Sequence, residues 1–541
     1  MNKTNKPQVV VIGLDGATFD LLRPMAQQGL LPNLERLMRE GTAQVLRSTY
    51  PPLTAPAWTS FMTGVNPGKH GVFAFQRHLN ARLEREWVNG RTIRSPRLWQ
   101  IVGDHDLRVG VMNVPLTYPP SPVNGFLVTG MLTPSIDYDF AYPAELMDEL
   151  RNMGYIVDLR IKLKEREVRT ESQIRELVRD LRRVLLKREE AIYRLLESRP
   201  CHFFMVMFET PDRIQHFAWH YIEEILAGER RTEVHREIAA CYQELDRVIG
   251  GLVAHVGTEA TFFFLSDHGF CHLHTRVHLD QWLAEQGLLR YTRGKATVRK
   301  RLKHRMQTLK RFIPRRLLLR GRRAFAVLKI IDWEHTQVYS GRSFENALYV
   351  NLKGREPQGV VEPGEPYERL REQLRQALLA LHDPSTGQQV VKAAYLREEV
   401  YDGPYLERAP DLLFELVDGY ETTSEVSPQG IFTPGRDEGA GFHNMDGIFI
   451  AWGRLVQQGA DLGQIAIPDL APTILYAMGL PVPRYMDGTV MEKLFDPAYV
   501  AAHPVVYEEG PQPEFEDAPA SSYSDEGAEL IRRRLAGLGY L

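Results

Sequence analysis

The stretch Val9-Val10-Val11-Ile12-Gly13-Leu14-Asp15-Gly16 decides the fold. A short, continuous apolar run ending in glycine is the pattern of a strand buried on both faces, as in a parallel sheet covered by helices. Such a strand delivers Asp15 and Gly16 at its C-terminal edge, where open α/β sheets gather their chemistry. Working outward, Leu34, Leu37 and Met38 keep helical spacing after Pro32, and Gly41 closes that helix. The runs 109–112, 126–129, 201–208 and 261–265 repeat the buried-strand pattern. The alternation predicts an α/β fold, a mostly parallel sheet with helices on both faces.

A chain of 541 residues, 43% hydrophobic and 25% charged, has the composition of a globular protein with a sizeable core, which excludes disordered, collagen-like and small disulfide-stapled classes. A net charge of -3 gives no reason to expect sequence-specific nucleic-acid binding. Cys201, Cys241 and Cys271 form no C-x-x-C pair, so neither a disulfide framework nor a cysteine zinc site is expected, and a reducing compartment is. The N-terminus lacks the greasy stretch and cleavage site of a secretory signal, and no stretch reaches the roughly 18 apolar residues that span a bilayer. The expected location is the cytoplasm.

The balanced total hides local asymmetry. From Arg290 to Arg323 there are 15 lysines and arginines and no acidic residue, with Val298, Leu302, Met306, Leu309 and Ile313 at helical spacing. That is a basic amphipathic helix, suited to an anionic membrane surface, a polyanion or the steering of anionic substrates, or else to a solvated face on its own acidic protein. Residues 171–198 form a long amphipathic helix whose apolar face carries Ile174, Leu177, Val178, Leu181, Leu185, Ile192 and Leu195, and whose charged face is expected to be solvated. From Glu508 to Glu526 the chain is acidic without a basic residue and reads as a linker, after which Leu530, Leu535 and Leu538 dock a terminal helix.

Carboxylates and imidazoles collect at the ends of the strand-like runs: Asp15, then Asp212 with His216, then Asp267-His268-Gly269, and His443 further on. Asp and His are the oxygen and nitrogen ligands of zinc and similar cations. Asp212 and His216, four apart, share one face of a helical turn. Taken singly these signals are weak: an Asp-Gly is usually a turn, and a histidine beside phenylalanine is usually structural. The stretch Pro51-Pro52-Leu53-Thr54-Ala55-Pro56-Ala57-Trp58 adds a hydroxyl where an extended segment opens a helix, whose N-terminal dipole favours an anion. On its own Thr54 reads as a helix cap. Beside a divalent cation its hydroxyl would become a nucleophile.

In content and order these motifs resemble the alkaline phosphatase superfamily, most closely its type I phosphodiesterase/nucleotide pyrophosphatase branch and the related phosphohydrolases or phosphomutases. The resemblance covers 9–70, 203–219, 262–269 and 441–488, the last including Ile467-Pro468-Asp469-Leu470-Ala471-Pro472-Thr473 and Met486-Asp487-Gly488. It implies two divalent metal ions, commonly zinc with manganese as an alternative, over a parallel sheet. One ion would be held by Asp15, Asp267 and His268 and would contact Thr54; the other would be held by Asp212, His216 and His443. It further implies that Thr54 attacks phosphorus to form a phosphothreonine, and that water then attacks from the opposite side with net retention.

Departures sharpen the expectation. Ala57 stands where the nucleotide pyrophosphatases usually have an asparagine contacting a non-bridging oxygen, which puts nucleotide specificity in doubt. Thr54-Ala55-Pro56-Ala57-Trp58 lacks the convertible residue and arginine of a sulfatase, and a threonine weighs against cofactor-independent phosphoglycerate mutases. Lys69 is a candidate phosphate contact, whereas His70, Asn113 and Asn351 read as structural. The expected organisation is a catalytic core in two parts, 1–285 and 406–500, an inserted cap over 286–405 carrying the basic helix, and an acidic linker with a C-terminal helix over 501–541. The expected activity is a two-metal phosphodiesterase acting on a phosphorylated small molecule or lipid headgroup. The alternatives are a phosphomutase, phosphotransferase or phosphomonoesterase, and, from another class, a non-catalytic metal-stabilised scaffold on anionic surfaces.

Overall fold

Nine strands form the central sheet of the computed structural model, which describes residues 6–78, 85–159, 170–229, 232–292, 331–342, 344–425, 427, 429–435, 440–510 and 523–537. They are β1 (Val9–Leu14), β2 (Thr42–Arg47), β3 (Val109–Val114), β4 (Gly125–Thr129), β5 (Ala141–Tyr142), β6 (Phe203–Phe208), β7 (Thr261–Leu265), β8 (Asp446–Gly453) and β9 (Ile465–Ala466). Their order is β9-β2-β8-β7-β1-β6-β3-β4-β5. β1 runs parallel to both neighbours, with Ile12 opposite Val206 on one side and Phe264 on the other. Every residue of β1, β6 and β7 is buried, as their unbroken apolar runs require.

This register places the chemistry. Leu14 pairs with Phe208 and Gly13 with Leu265, so the segments following β1, β6 and β7 leave the sheet at one edge. β8 is antiparallel to β7 and β2, so its entry lies at that same edge and brings in the preceding residues 441–444. Strand β5 is the other antiparallel member, at the far side of the sheet. Helix Thr54–Thr63 packs on β1 through Trp58: a Cβ added at Gly13 would lie 2.5 Å from Trp58 Cη2, so only glycine admits the indole.

The long helix spans Glu171–Ser198, and its expected apolar residues are buried. Its charged face is less solvated than the periodicity suggests. Helix Glu233–Val256 lies alongside, and Arg175 pairs with Glu237, Arg182 with Glu244 and Arg247 with Glu189 across the seam. Acidic residues of a helix distant in sequence meet those arginines, which a one-helix pattern does not reveal.

A second lobe carries a four-stranded antiparallel sheet ordered Val338–Ser340, Ala347–Val350, Leu412–Leu416, Val391–Leu396, together with helix Glu365–Leu379. Its apolar cluster is separate from the main core and draws on Val277, Trp282 and Leu283 before the 286–405 segment and Leu412, Phe414 and Tyr420 after it. Most of the basic stretch between Arg290 and Arg323 lies outside the described residues, as do 511–522 of the acidic stretch and Leu538. The C-terminal helix Asp525–Gly537 buries Ile531 and Leu535. The three cysteines are free thiols, and among the described residues no helix is long and apolar enough to cross a membrane.

Candidate active site

Asp15 follows β1, Asp212 sits in the first turn of helix Thr210–Leu226 just after β6, Asp267 and His268 follow β7, and His443 precedes β8. The structure brings these five, and His216 one turn on from Asp212, to one edge of the sheet, and all but His216 are buried. Asp15, Asp267 and His268 offer ligand atoms within 4.8 Å of one another. Asp212 Oδ1 lies 3.2 Å from His216 Nε2 and 3.4 Å from His443 Nε2, and the two histidine nitrogens are 3.0 Å apart. The helical i, i+4 relation between Asp212 and His216 therefore delivers both to one point. His268 stands between the groups: its ring stacks 3.6 Å from that of His443, and it shares a second triad with Asp212 and His443.

Neighbouring groups orient these candidate ligands. Asp15 Oδ2 accepts from the Trp58 indole at 3.2 Å, and Asp267 Oδ1 accepts from the Gly16 amide at 3.2 Å. Gln215 donates to the Gly16 carbonyl at 2.8 Å, and the Asp212 amide donates to the Asp15 carbonyl at 3.0 Å. His443 Nδ1 is 3.1 Å from the Pro52 carbonyl, and His268 Nδ1 is 3.1 Å from the Gly269 carbonyl. A ring nitrogen that donates to a carbonyl leaves Nε2 as the basic atom, the tautomer a metal ligand needs.

Thr54 is the first residue of its helix, after the extended Leu53, and is fully buried. It sits between two supports of the centre, Pro52 beneath His443 and Trp58 against Asp15. The N–H groups of a first helical turn have no intrahelical acceptor, and the dipole there favours an anion.

The electrostatics ask for a cation. Four buried polar atoms here make no hydrogen bond: Asp15 Oδ1, Thr54 Oγ1, Asp267 Oδ2 and His268 Nε2. Native proteins rarely leave such atoms unsatisfied. Burial, then the Asp267 and Asp212 carboxylates, push the Asp15 carboxyl well above the usual range, and burial pushes Asp267 up to about 8. Burial, then the neighbouring His443, drives His268 well below its ordinary value. Burial also raises Asp212, but His216, His443 and Arg213 outweigh it and hold that carboxyl low. Asp15 and Asp267 crowded out of ionisation, beside His268 and His443 whose buried imidazoles are pushed down, belong to a donor set of oxygen and nitrogen that fits borderline divalent cations.

Residues 9–447 match the family described as type I phosphodiesterase / nucleotide pyrophosphatase. The chain belongs to that family, within the alkaline phosphatase superfamily. It is therefore of phosphoryl-hydrolase lineage. Among solved structures it is similar to phosphonoacetate hydrolase from Sinorhizobium meliloti 1021 in complex with phosphonoformate, with TM-score 0.54 and 16% identity over 87% of this chain and 95% of that one. The same hydrolase in complex with phosphonoacetate gives 0.53 and 15% over the same shares. An inactive variant of murine ectonucleotide pyrophosphatase / phosphodiesterase 5 in complex with AMP gives 0.47 and 12% over 88% and 96%. No curated protein matches the chain. The likeness to phosphonoacetate hydrolase extends the family's mostly parallel α/β architecture across nearly the whole chain.

Other residues singled out in the sequence serve the scaffold. His70 accepts from the Val72 amide at 3.1 Å and lies 3.0 Å from the Ser60 hydroxyl. Lys69, a candidate phosphate contact, forms an ion pair with Asp487 and donates to the Tyr485 carbonyl at 3.3 Å. Asn113 donates to Val157 and Asn351 to the carbonyls of Trp333, Thr336 and Gln358. Trp58, Gln215 and Arg213 went unnoticed from sequence, because nothing local marks a residue that supports a ligand from an adjacent element.

Proposed function

We propose that the protein is a metal-dependent phosphohydrolase that acts on phosphodiesters of small molecules with Thr54 as its nucleophile. The observation that carries this reading is the meeting of unsatisfied buried atoms from Asp15, Asp267 and His268 at one sheet edge, with the equally unsatisfied Thr54 hydroxyl on the segment whose Pro52 and Trp58 support His443 and Asp15. Asp15, Asp267 and His268 would hold one divalent cation and Asp212, His216 and His443 the other, and the bound pair supplies Lewis acidity that lowers the threonine pKa and offsets charge on the leaving oxygen.

Thr54 gives its proton to solvent and its Oγ1 attacks phosphorus in line. The P–O bond to the leaving group breaks, the departing alkoxide takes a proton from solvent, and a phosphothreonine ester remains. The N–H groups of Thr54 and Ala55, the two donors the first turn leaves open since Pro56 has none and Ala57 donates to the Leu53 carbonyl, would face the charge on the equatorial oxygens. Water then attacks from the opposite side and releases Thr54, and two inversions give retention at phosphorus. Trp58 and Pro52 hold Asp15 and His443 in place throughout. Because Ala57 supplies no side-chain donor to a non-bridging oxygen, the first-turn amides carry that task and the leaving group is not required to be a nucleotide.

The test is the ratio of turnover on a bis-aryl phosphodiester to that on the aryl monoester, in metal-loaded protein with Thr54→Ala as the blank. A ratio well above one supports the diester reading. A ratio below one moves the assignment to a monoesterase or mutase, and activity equal to the blank on both substrates rejects catalysis.

A further inference from the structure

Helix Thr210–Leu226 begins among buried charges that the hydrolytic steps do not use. The Arg213 side chain is 2% exposed; its Nη1 lies 3.6 Å from Asp212 Oδ2 and its Nη2 3.7 Å from Asp158 Oδ1. The other oxygen of Asp158 is 3.2 Å from Nη1 of Arg534, on the C-terminal helix. Arg534 in turn donates to the carbonyls of Thr133 at 2.7 Å and Pro134 at 3.1 Å. Carboxylate and guanidinium thus alternate from Asp212 through Arg213 and Asp158 to Arg534.

The backbone beside Asp158 is pinned as well. The carbonyl of Val157 accepts from Asn113 at 3.2 Å and from Arg188 at 3.5 Å, and Arg188 pairs with Glu209 and donates to the Met207 carbonyl at 2.8 Å. Three buried cations balance three buried anions around the start of the helix. Removing one member of such a set strands its neighbour's charge, so each fixes the next.

The consequence reaches the metal centre through the two oxygens of Asp212. Oδ2 faces Arg213, while Oδ1 faces His216 and His443 at 3.2 and 3.4 Å. We propose that Arg534 is a positioning residue for this centre: through Asp158 it holds Arg213 against Asp212 Oδ2 and keeps Asp212 Oδ1 turned toward the two histidines. The proposal rests on Asp212, His216 and His443 being the ligands of one divalent ion. It makes the C-terminal helix part of the site.

The helix docks by other means too, since Ile531 and Leu535 are each 1% exposed and the Tyr523 hydroxyl donates to the Leu132 carbonyl at 2.9 Å. Docking and charge can therefore be separated in the full chain. Zinc is titrated into metal-free wild type, Arg534→Met, Arg534→Lys and Ile531→Ala, with stoichiometry and melting temperature recorded for each. Wild type is expected to bind two ions, and Arg534→Met to bind one of them about 10- to 100-fold more weakly with the other within about twofold. Arg534→Lys recovers most of that loss, and Ile531→Ala melts earlier with both affinities intact. Two wild-type affinities in Arg534→Met, or an equal loss at both sites matched by Ile531→Ala, overturn the positioning role alone. Fewer than two ions in wild type overturns the two-ion reading and this proposal with it.

Discussion

Nδ1 of His443 lies 3.1 Å from the carbonyl oxygen of Pro52, two residues before Thr54, so one extended segment supports both a histidine of the centre and the hydroxyl beside it. His443→Ala removes a proposed ligand together with its hydrogen bond to the Pro52 carbonyl. It is expected to lower zinc content from two ions to one per chain and phosphodiester turnover by about 100-fold or more, whereas the melting temperature moves by only a few degrees. Elemental analysis alongside the rate measurement checks both.

If the proposed ions are bound, stripping them leaves buried carboxylates and imidazoles without their counter-charge. Chelation should lower the melting temperature, and readdition of zinc at about 100 times its dissociation constant should restore roughly 2.7 kcal/mol per site. A melting temperature indifferent to chelator and to zinc would remove the metal centre from the account.

The glycine beneath Trp58 gives a packing prediction. A methyl at Gly13 meets an indole that is fully buried and cannot withdraw, so Gly13→Ala is expected to destabilise by about 1–3 kcal/mol through overpacking. Trp58→Phe removes the donor to Asp15 Oδ2 together with part of the buried ring volume, at a cost of about 1–3 kcal/mol. Urea unfolding of both variants measures the difference.

His70 makes acid stability a local property. Burial pushes its imidazole down to about 3, and the Val72 amide occupies Nδ1, so the folded protein holds the ring neutral. The unfolded ring titrates near about 6.5, so its stabilisation is complete above that pH and is lost progressively as pH falls toward about 3. Over that window the slope is about 1.4 kcal/mol per pH unit for this one proton. His70→Gln should flatten the acid limb of stability against pH by that amount, read from urea midpoints at successive pH values.

The fold was legible because β1, β6 and β7 are short, unbroken apolar runs, and such runs between helical segments fit strands buried on both faces. The meeting of the candidate ligands was legible because parallel strands in register must end together, so Asp15, Asp212 and Asp267 had to meet. His443 was harder: it enters beside the antiparallel β8, and no periodicity announces a reversal. The supports were invisible. Arg534 and Asp158 lie far apart in the chain, and a buried arginine in a charged helix looks like any surface arginine until its partner is placed. The pairing of the Glu171–Ser198 helix with Glu237 and Glu244 escaped for the same reason.

Thr54 as the covalent nucleophile is the central claim. Metal-loaded protein is mixed with a bis-aryl phosphodiester, quenched in acid during turnover, and the peptide containing Thr54 is weighed by mass spectrometry. An aryl phosphoryl group is expected on Thr54, absent from Thr54→Ala, whose turnover falls to that of the reaction without protein. An unmodified Thr54 together with wild-type turnover in Thr54→Ala would contradict it.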